Sequence, residues 1–226
     1  MVKIPKRLVF LDVETTGLDS SKDRVIEIFL LSVHKDGQVE QYETLINPER
    51  PIPEVITEMT GLTDVDVAHA PTESQVAKKI REFIGWDTPV AHNLPFDLRF
   101  LNAMFQRNGL LELSGAGIDT LAISRELFPR LAIFPEGGGS HRLSNLMYHF
   151  GLEKAHANAH RAKDDVLLLV EVYRHLQASE RGELLYSPLV THGCPTCKSA
   201  MYVEREGNQR VLVCKTEPSC AAKFVV

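Results

Sequence analysis

The stretch FLDVETTG, residues 10–17, sets Asp12 and Glu14 two positions apart at the end of an apolar run, RLVFLDV (7–13). A run so rich in Val, Leu and Phe is the pattern of a strand covered on both faces. On a strand, residues i and i+2 project from the same face, so these two carboxylates can grip one object. Unpaired and close, they would repel, raise each other's pKa and carry a desolvation cost as well. A divalent cation removes both penalties. The plain alternative for an isolated DxE is a strand end where two acids simply reach water.

Working outward, RVIEIFLLSVHKDGQVEQYETLIN (24–47) spells two strands joined by a hairpin turn at KDGQ (35–38). With the first strand they make a three-stranded meander. A short helix over 53–61 is stopped by Gly61, and TESQVAKKIREFIG (72–85) is an amphipathic helix with Thr72 as its cap. A strand at TPVAHN (88–93) feeds a helix over 95–109, whose Phe96, Phe100 and Met104 recur every four residues as a core-facing stripe. A strand and helix follow over 117–129, then a helix over 140–151 capped by Ser140, then a long helix over 160–182. Strands first, then strands alternating with helices, indicate a mixed α/β architecture.

With 226 residues and 44% hydrophobic content, the chain fits one sizeable domain and a small appendage. No segment approaches the ~18 apolar residues of a membrane span, and the N-terminus has no apolar run of signal length. A soluble cytoplasmic protein without a membrane partner is expected. Residues 187–226 hold five Lys/Arg against three Asp/Glu, so with the chain at −5 the tail carries +2 and the body −7. A polyanion could approach that body only if metal ions offset its carboxylates.

Two further motifs carry acids. AHNLPFD (91–97) closes a strand and opens a helix with Asp97, at the carboxyl end of a strand, where α/β sheets present functional groups. HRAKDD (160–165) opens the last helix with a histidine and two acids. In order, the three motifs match the signatures of the DEDD exonuclease superfamily, the third in its HxAxxD form. Over roughly residues 7–180 the chain resembles the DnaQ-like 3′-to-5′ exonucleases of the DEDDh subgroup, the family of polymerase proofreading subunits.

The resemblance implies metal ligands at Asp12, Glu14, Asp97 and Asp165, and a general base at His160. It also implies a ribonuclease H-like mixed sheet of five strands, the second antiparallel to the rest, flanked by helices. Asp164 stands at i+4 from His160, where a continuous helix would stack the two. The motif's acid is Asp165, which fits a His160 placed at or before the helix N-terminus. Asp164 then becomes a first-turn acid near the positive end of the helix dipole.

Phosphodiester hydrolysis needs a nucleophilic hydroxide, charge neutralisation in the transition state and help for the departing 3′ oxygen. Two divalent ions about 3.5–4 Å apart supply all three. Oxygen-only ligands suit Mg²⁺ or Mn²⁺ better than Zn²⁺. A histidine, with its ordinary pKa of about 6.5, can take the proton of the attacking water at neutral pH. By resemblance, Thr15, Thr16 and Gly17 lie along the terminal nucleotide, with His92, Asn93 and Phe96 lining the same pocket. Phe96 can stack on a base, although its place in the core stripe is the simpler account, and Asn93 can serve as a helix cap. MTGLTD (59–64) resembles a family loop near the substrate. GGGSHR (137–142) lacks the GK[ST] ending of a phosphate-binding loop and is expected to be a flexible connection.

The only four cysteines, Cys194, Cys197, Cys214 and Cys220, form CxxC-x16-Cx5C around the hairpin-length stretch MYVEREGNQRVLV. Two close thiolate pairs suit one tetrahedral structural zinc, and disulfides or a redox CxxC are the alternatives. The second spacing resembles the C-terminal zinc ribbons of bacterial type I topoisomerases, which bind single-stranded DNA. Lys198, Arg205, Arg210, Lys215 and Lys223 with Tyr202 and Phe224 could track a strand here, or serve protein contacts. The expected division is therefore an exonuclease domain (1–185), a linker (186–193) and a zinc ribbon (194–226). The expected activity is removal of nucleoside 5′-monophosphates from 3′ ends of single-stranded or frayed DNA, in repair or proofreading beside a replication or repair protein. RNA 3′-end trimming and a non-catalytic subunit of a polymerase or helicase assembly are the alternatives.

Overall fold

In the computed structural model the apolar run around Asp12 becomes β1 (Arg7–Thr15), the middle strand of the larger sheet. The structure describes residues 7–114, 116–128, 141–156, 160–180, 201–206, 209–214 and 223–225. β2 (Val25–His34) and β3 (Val39–Leu45) form the expected hairpin, with Gly37 at a φ of 88° in its turn. After the helices α1 (Glu54–Thr60), α2 (Asp64–Val67) and α3 (Glu73–Ile84), β4 (Thr88–Ala91) leads into α4 (Leu94–Arg107). β5 (Ile118–Asp119) then precedes α5 (Thr120–Leu127). The sheet order is β3-β2-β1-β4-β5, with β2 antiparallel to its neighbours and β1, β4 and β5 parallel. This is the five-stranded mixed sheet expected from the motifs.

Alternation along β1 explains why so apolar a strand can carry acids. Val9, Leu11 and Val13 face the core that α3 and α4 complete through Ile80, Ile84, Phe100, Leu101 and Met104. The stripe seen in the sequence is real, with Phe100 and Met104 fully buried and Phe96 packed at the edge. Removing a ring such as Phe100 would cost about 3–5 kcal/mol. The opposite face of β1 carries Asp12 and Glu14, paired across the ladder with Phe29 and Glu27.

The helix ends follow local chemistry. Gly61 ends α1 in the left-handed conformation at a φ of 75°, and Thr72 with Gln75 closes a capping box on α3. α2, a four-residue helix with a capping box from Thr63 and Asp66, was not expected. α6 (Leu143–His149) has Arg142 at its N-cap; Ser140, the expected cap, lies outside the described residues. α7 (Ala162–Glu180) starts two residues after His160.

The chain divides into two compact units. The first, Met1–Thr120 with Asn158–Leu169, holds the five-stranded sheet and the start of α7. In the second, Leu121–Ala157 with Val170–Val226, Phe128 packs edge-on against His149 and Phe150, and Phe150 stacks on His175. That unit also contains an antiparallel sheet of β6 (Met201–Glu206), β7 (Gln209–Cys214) and β8 (Lys223–Val225). Cys194, Cys197 and Cys220, the linker at 186–193 and most of GGGSHR lie outside the described residues; Cys214 is the last residue of β7. Among the described residues no helix is long and apolar enough to cross a membrane.

Candidate active site

The site exists because β1 outruns its neighbour. Pairing of β1 with β4 stops at Phe10↔Val90, whereas pairing with β2 continues to Glu14↔Glu27 and, past a bulge, Thr15↔Val25. Beyond Phe10 one edge of β1 is therefore open, and an unpaired backbone donor there must find another acceptor. Asp97, in the first turn of α4, is buried close enough to this edge that the backbone N–H of Val13 favours its ionised form. It is brought there by a sharp strand-to-helix turn. Asn93 adopts a left-handed conformation, φ 75° and ψ 48°, and its N–H donates to Asp119 Oδ1 at 3.0 Å. Asn93 occupies the N-cap position of α4, but its side chain makes no capping hydrogen bond.

α7 brings the remaining acid. Arg161 occupies its N-cap position, its carbonyl accepting the N–H of Asp165 at 3.0 Å. Carboxylate oxygens of Asp12, Glu14 and Asp165 lie within 4.8 Å of one another. Asp165 is buried, whereas Asp164 is exposed on the first turn and outside this group. His160 is exposed, just before Arg161, with a left-handed φ of 46° that side chains other than glycine seldom adopt. Asp97 is buried and near enough to Asp12 that their charges interact.

Electrostatics make the cluster unstable as four anions. Burial first, then the charges of Asp165 and Glu27, push Asp12 up to about 8. Burial, then Asp12, Asp165 and Glu27, push Glu14 to about 9, against a smaller opposing pull from Arg161. Asp165 rises to about 7 through burial, Asp164 and Glu27. Asp97 is raised well above the ordinary carboxylate range by burial and by Asp12. Either protons or cations must sit among these groups at neutral pH. An all-oxygen donor set of this kind fits Mg²⁺ or Mn²⁺.

The residues expected along a substrate lie in the same unit as this cluster. Thr15 and Thr16 are buried, and their hydroxyls are engaged inside the loop. Thr15 Oγ1 donates to the Gly17 carbonyl at 2.7 Å, and Thr16 Oγ1 accepts the Arg24 N–H at 3.0 Å. A Cβ at Gly17 would lie 2.4 Å from Oδ2 of Asp23, so a side chain there would have to displace a carboxylate that accepts the Asp19 N–H at 2.9 Å. The Thr120 hydroxyl gives its proton to the Ala91 carbonyl at 3.2 Å, so it accepts from His92 Nδ1 at 3.0 Å. Phe96 contacts Phe100 at 4.9 Å between ring centroids, with the Arg99 guanidinium 5.8 Å over its face.

One buried carboxylate escaped the sequence reading. Glu27 stands across the ladder from Glu14, almost fully buried, in bidentate contact with Arg161. Its signal was a lone acid within the apolar run VIEIFLL (25–31), which a covered strand does not ordinarily tolerate.

A sheet of order β3-β2-β1-β4-β5 with acids gathered where β1 runs past β4 defines a protein of the ribonuclease H-like class. Within it, the family described as "Exonuclease", of the RNase T type, matches residues 9–173, and the chain belongs to that family. The DNA polymerase III subunit epsilon of Treponema pallidum is 36% identical over 162 residues, covering 72% of each chain. A PolC-type DNA polymerase III from Bacillus cereus is 37% identical over 145 residues, which are 64% of this chain and 10% of that one. The present chain thus spans only about a tenth of such polymerases. Among solved structures, E. coli exonuclease I in complex with a dT13 oligonucleotide shares the fold. Its TM-score is 0.65 at 22% identity, over 78% of this chain and 41% of that one.

Proposed function

We propose that this chain is a metal-dependent 3′-to-5′ exonuclease of the DEDDh type, acting on single-stranded or frayed DNA and releasing nucleoside 5′-monophosphates. The observation that carries the proposal is the convergence of Asp12, Glu14 and Asp165 within 4.8 Å, with buried Asp97 beside Asp12. Asp12, Glu14, Asp97 and Asp165 would hold two Mg²⁺ or Mn²⁺ ions. Such a pair, when bound, supplies Lewis-acid stabilisation of the attacking and leaving oxygens of the phosphodiester.

The chain's own groups do the rest. His160 stands on the exposed approach to α7, one residue before the clamped N-cap, so its imidazole can receive the proton of the attacking water. The loop of Thr15, Thr16 and Gly17, braced by Asp23, offers backbone to the terminal nucleotide. His92, Asn93 and Phe96 would line the same pocket, and the Phe96 ring can stack on a base. The polymerase III relatives and the oligonucleotide-bound fold relative support DNA as substrate and a replication or repair protein as partner; a cytoplasmic location is part of this proposal. We assign Cys194, Cys197, Cys214 and Cys220 to one structural Zn²⁺ in a ribbon at 194–226 that helps hold the strand, joined by a linker (186–193) to an exonuclease domain (1–185).

The test is digestion of 5′-labelled single-stranded DNA and RNA of equal sequence with Mg²⁺, Mn²⁺ or chelator. A ladder shortening from the 3′ end of DNA, lost in chelator, is expected. Preferential RNA trimming would move the assignment to an exoribonuclease, and binding without cleavage would leave a non-catalytic subunit.

A further inference from the structure

We infer that Glu27 is a positioning residue, which clamps Arg161 and the first turn of α7 and so sets where Asp165 and His160 stand relative to Asp12 and Glu14. The inference rests on the nuclease proposal above for its activity readout. Its structural basis is independent of it. Arg161 Nη2 donates to Oε1 of Glu27 at 2.6 Å, and Nε lies 3.1 Å from each carboxylate oxygen. The Ala162 backbone N–H, one of the first free donors of α7, adds a bond to Oε2 at 3.0 Å. Both oxygens of Glu27 are therefore occupied by α7, and it is not one of the carboxylates within 4.8 Å of each other.

The geometry gives this clamp leverage. Asp165 is one turn beyond Arg161, bonded to its carbonyl, so a slide or rotation of the first turn moves the Asp165 carboxylate with it. His160 is held on the other side of the same residue in a left-handed conformation, which persists only where its surroundings over-determine it. A misplacement of about 1 Å in such a site costs about 10²-fold in rate. The weaker tether of Lys163 to Glu43 at 3.0 Å is half-exposed and reaches only β3. Glu27 also occupies the Arg161 guanidinium, which would otherwise be free to pair with Glu14 in place of a metal ion. An acid at this point adds repulsion to Asp12, Glu14 and Asp165, a cost that a purely structural contact would avoid with a neutral side chain.

The test compares wild type, Glu27→Gln and Arg161→Lys in three measurements on the full chain: steady-state digestion of a 5′-labelled oligodeoxythymidylate, calorimetric titration with Mn²⁺, and melting in chelator. Glu27→Gln keeps the shape but loses the charge, and its kcat should fall about 10- to 100-fold with KM within about threefold. Its Mn²⁺ affinity should weaken about tenfold. Arg161→Lys keeps the charge and loses the planar fork, so a smaller loss in the same two quantities is expected. A Glu27→Gln protein whose kcat and Mn²⁺ affinity stay within twofold of wild type would overturn the inference, even with a lowered melting temperature. Should that variant not fold, Arg161→Lys decides by the same twofold criterion. If wild type binds Mn²⁺ but leaves the oligonucleotide whole, the nuclease proposal fails, and the Mn²⁺ titrations alone decide the clamp.

Discussion

Loading the carboxylate cluster with a divalent ion should expel protons, and the number follows from the site. With pKa values of about 8, 9 and 7, Asp12 is about nine-tenths protonated at pH 7, Glu14 almost wholly and Asp165 about half. Metal ions bind the ionised forms, so saturation at pH 7 should release roughly two protons per chain from these three groups, with any held by Asp97 in addition. At pH 9 the release from these three groups should drop below about one, because of the three only Glu14 then retains a large proton fraction. Titration of Mn²⁺ into chelator-treated protein, in buffers of differing ionisation enthalpy, measures this number directly. The same shifts fix a stability trend. Each of the three pKa values is raised above its unfolded value near 4, so the metal-free fold holds protons that the unfolded chain has lost. Its stability is greatest below about pH 4 to 5 as far as these groups are concerned and declines as pH rises through about 7 to 9. Saturating Mn²⁺ should flatten that decline. Release of less than about half a proton at pH 7, or a release independent of pH, would refute the electrostatic account of the cluster.

Three other outcomes are expected. Asp97→Ala should lower turnover by at least about a thousandfold, ~4 kcal/mol in the barrier, while leaving the circular dichroism spectrum native; full activity in that variant would remove Asp97 from the site. Gly17→Ala should lower stability by about 1–3 kcal/mol through the clash with Asp23, and adding Asp23→Ala should recover part of the loss; an unchanged melting temperature in the single variant would show that the loop yields freely. Elemental analysis of the purified chain should find one zinc per molecule, lost on Cys194→Ser with Cys197→Ser, and a zinc-free wild type would exclude the four-thiolate centre.

Much of the larger sheet was legible because its signals are local. The KDGQ turn, the Gly61 stop and the Thr72 cap depend on residues a few positions apart, and each appears where its chemistry requires. The four-residue α2 was missed because so short a helix has no periodicity to detect. That Asp165 rather than Asp164 lies with Asp12 and Glu14 was also legible, since a helix that begins after His160 cannot stack His160 on Asp164. What Thr15 and Thr16 do with their hydroxyls was not, because their partners lie in a loop closure with Arg24 and Gly17 that spacing does not reveal.

By itself the sequence determined the mixed α/β order of elements, the three acidic motifs and the two positions on β1 that share a face, because period and spacing are properties of neighbours along the chain; the five-stranded sheet was implied only by the resemblance those motifs carry. Tertiary structure alone decided that β1 outruns β4, that Asp97 is buried near Asp12, and that Glu27 meets Arg161 from 134 residues away. Those contacts depend on strand lengths and on how buried charges find counter-charges in three dimensions. A carboxylate in a covered strand must be neutralised by something nearby in space, and sequence distance does not limit where that partner comes from.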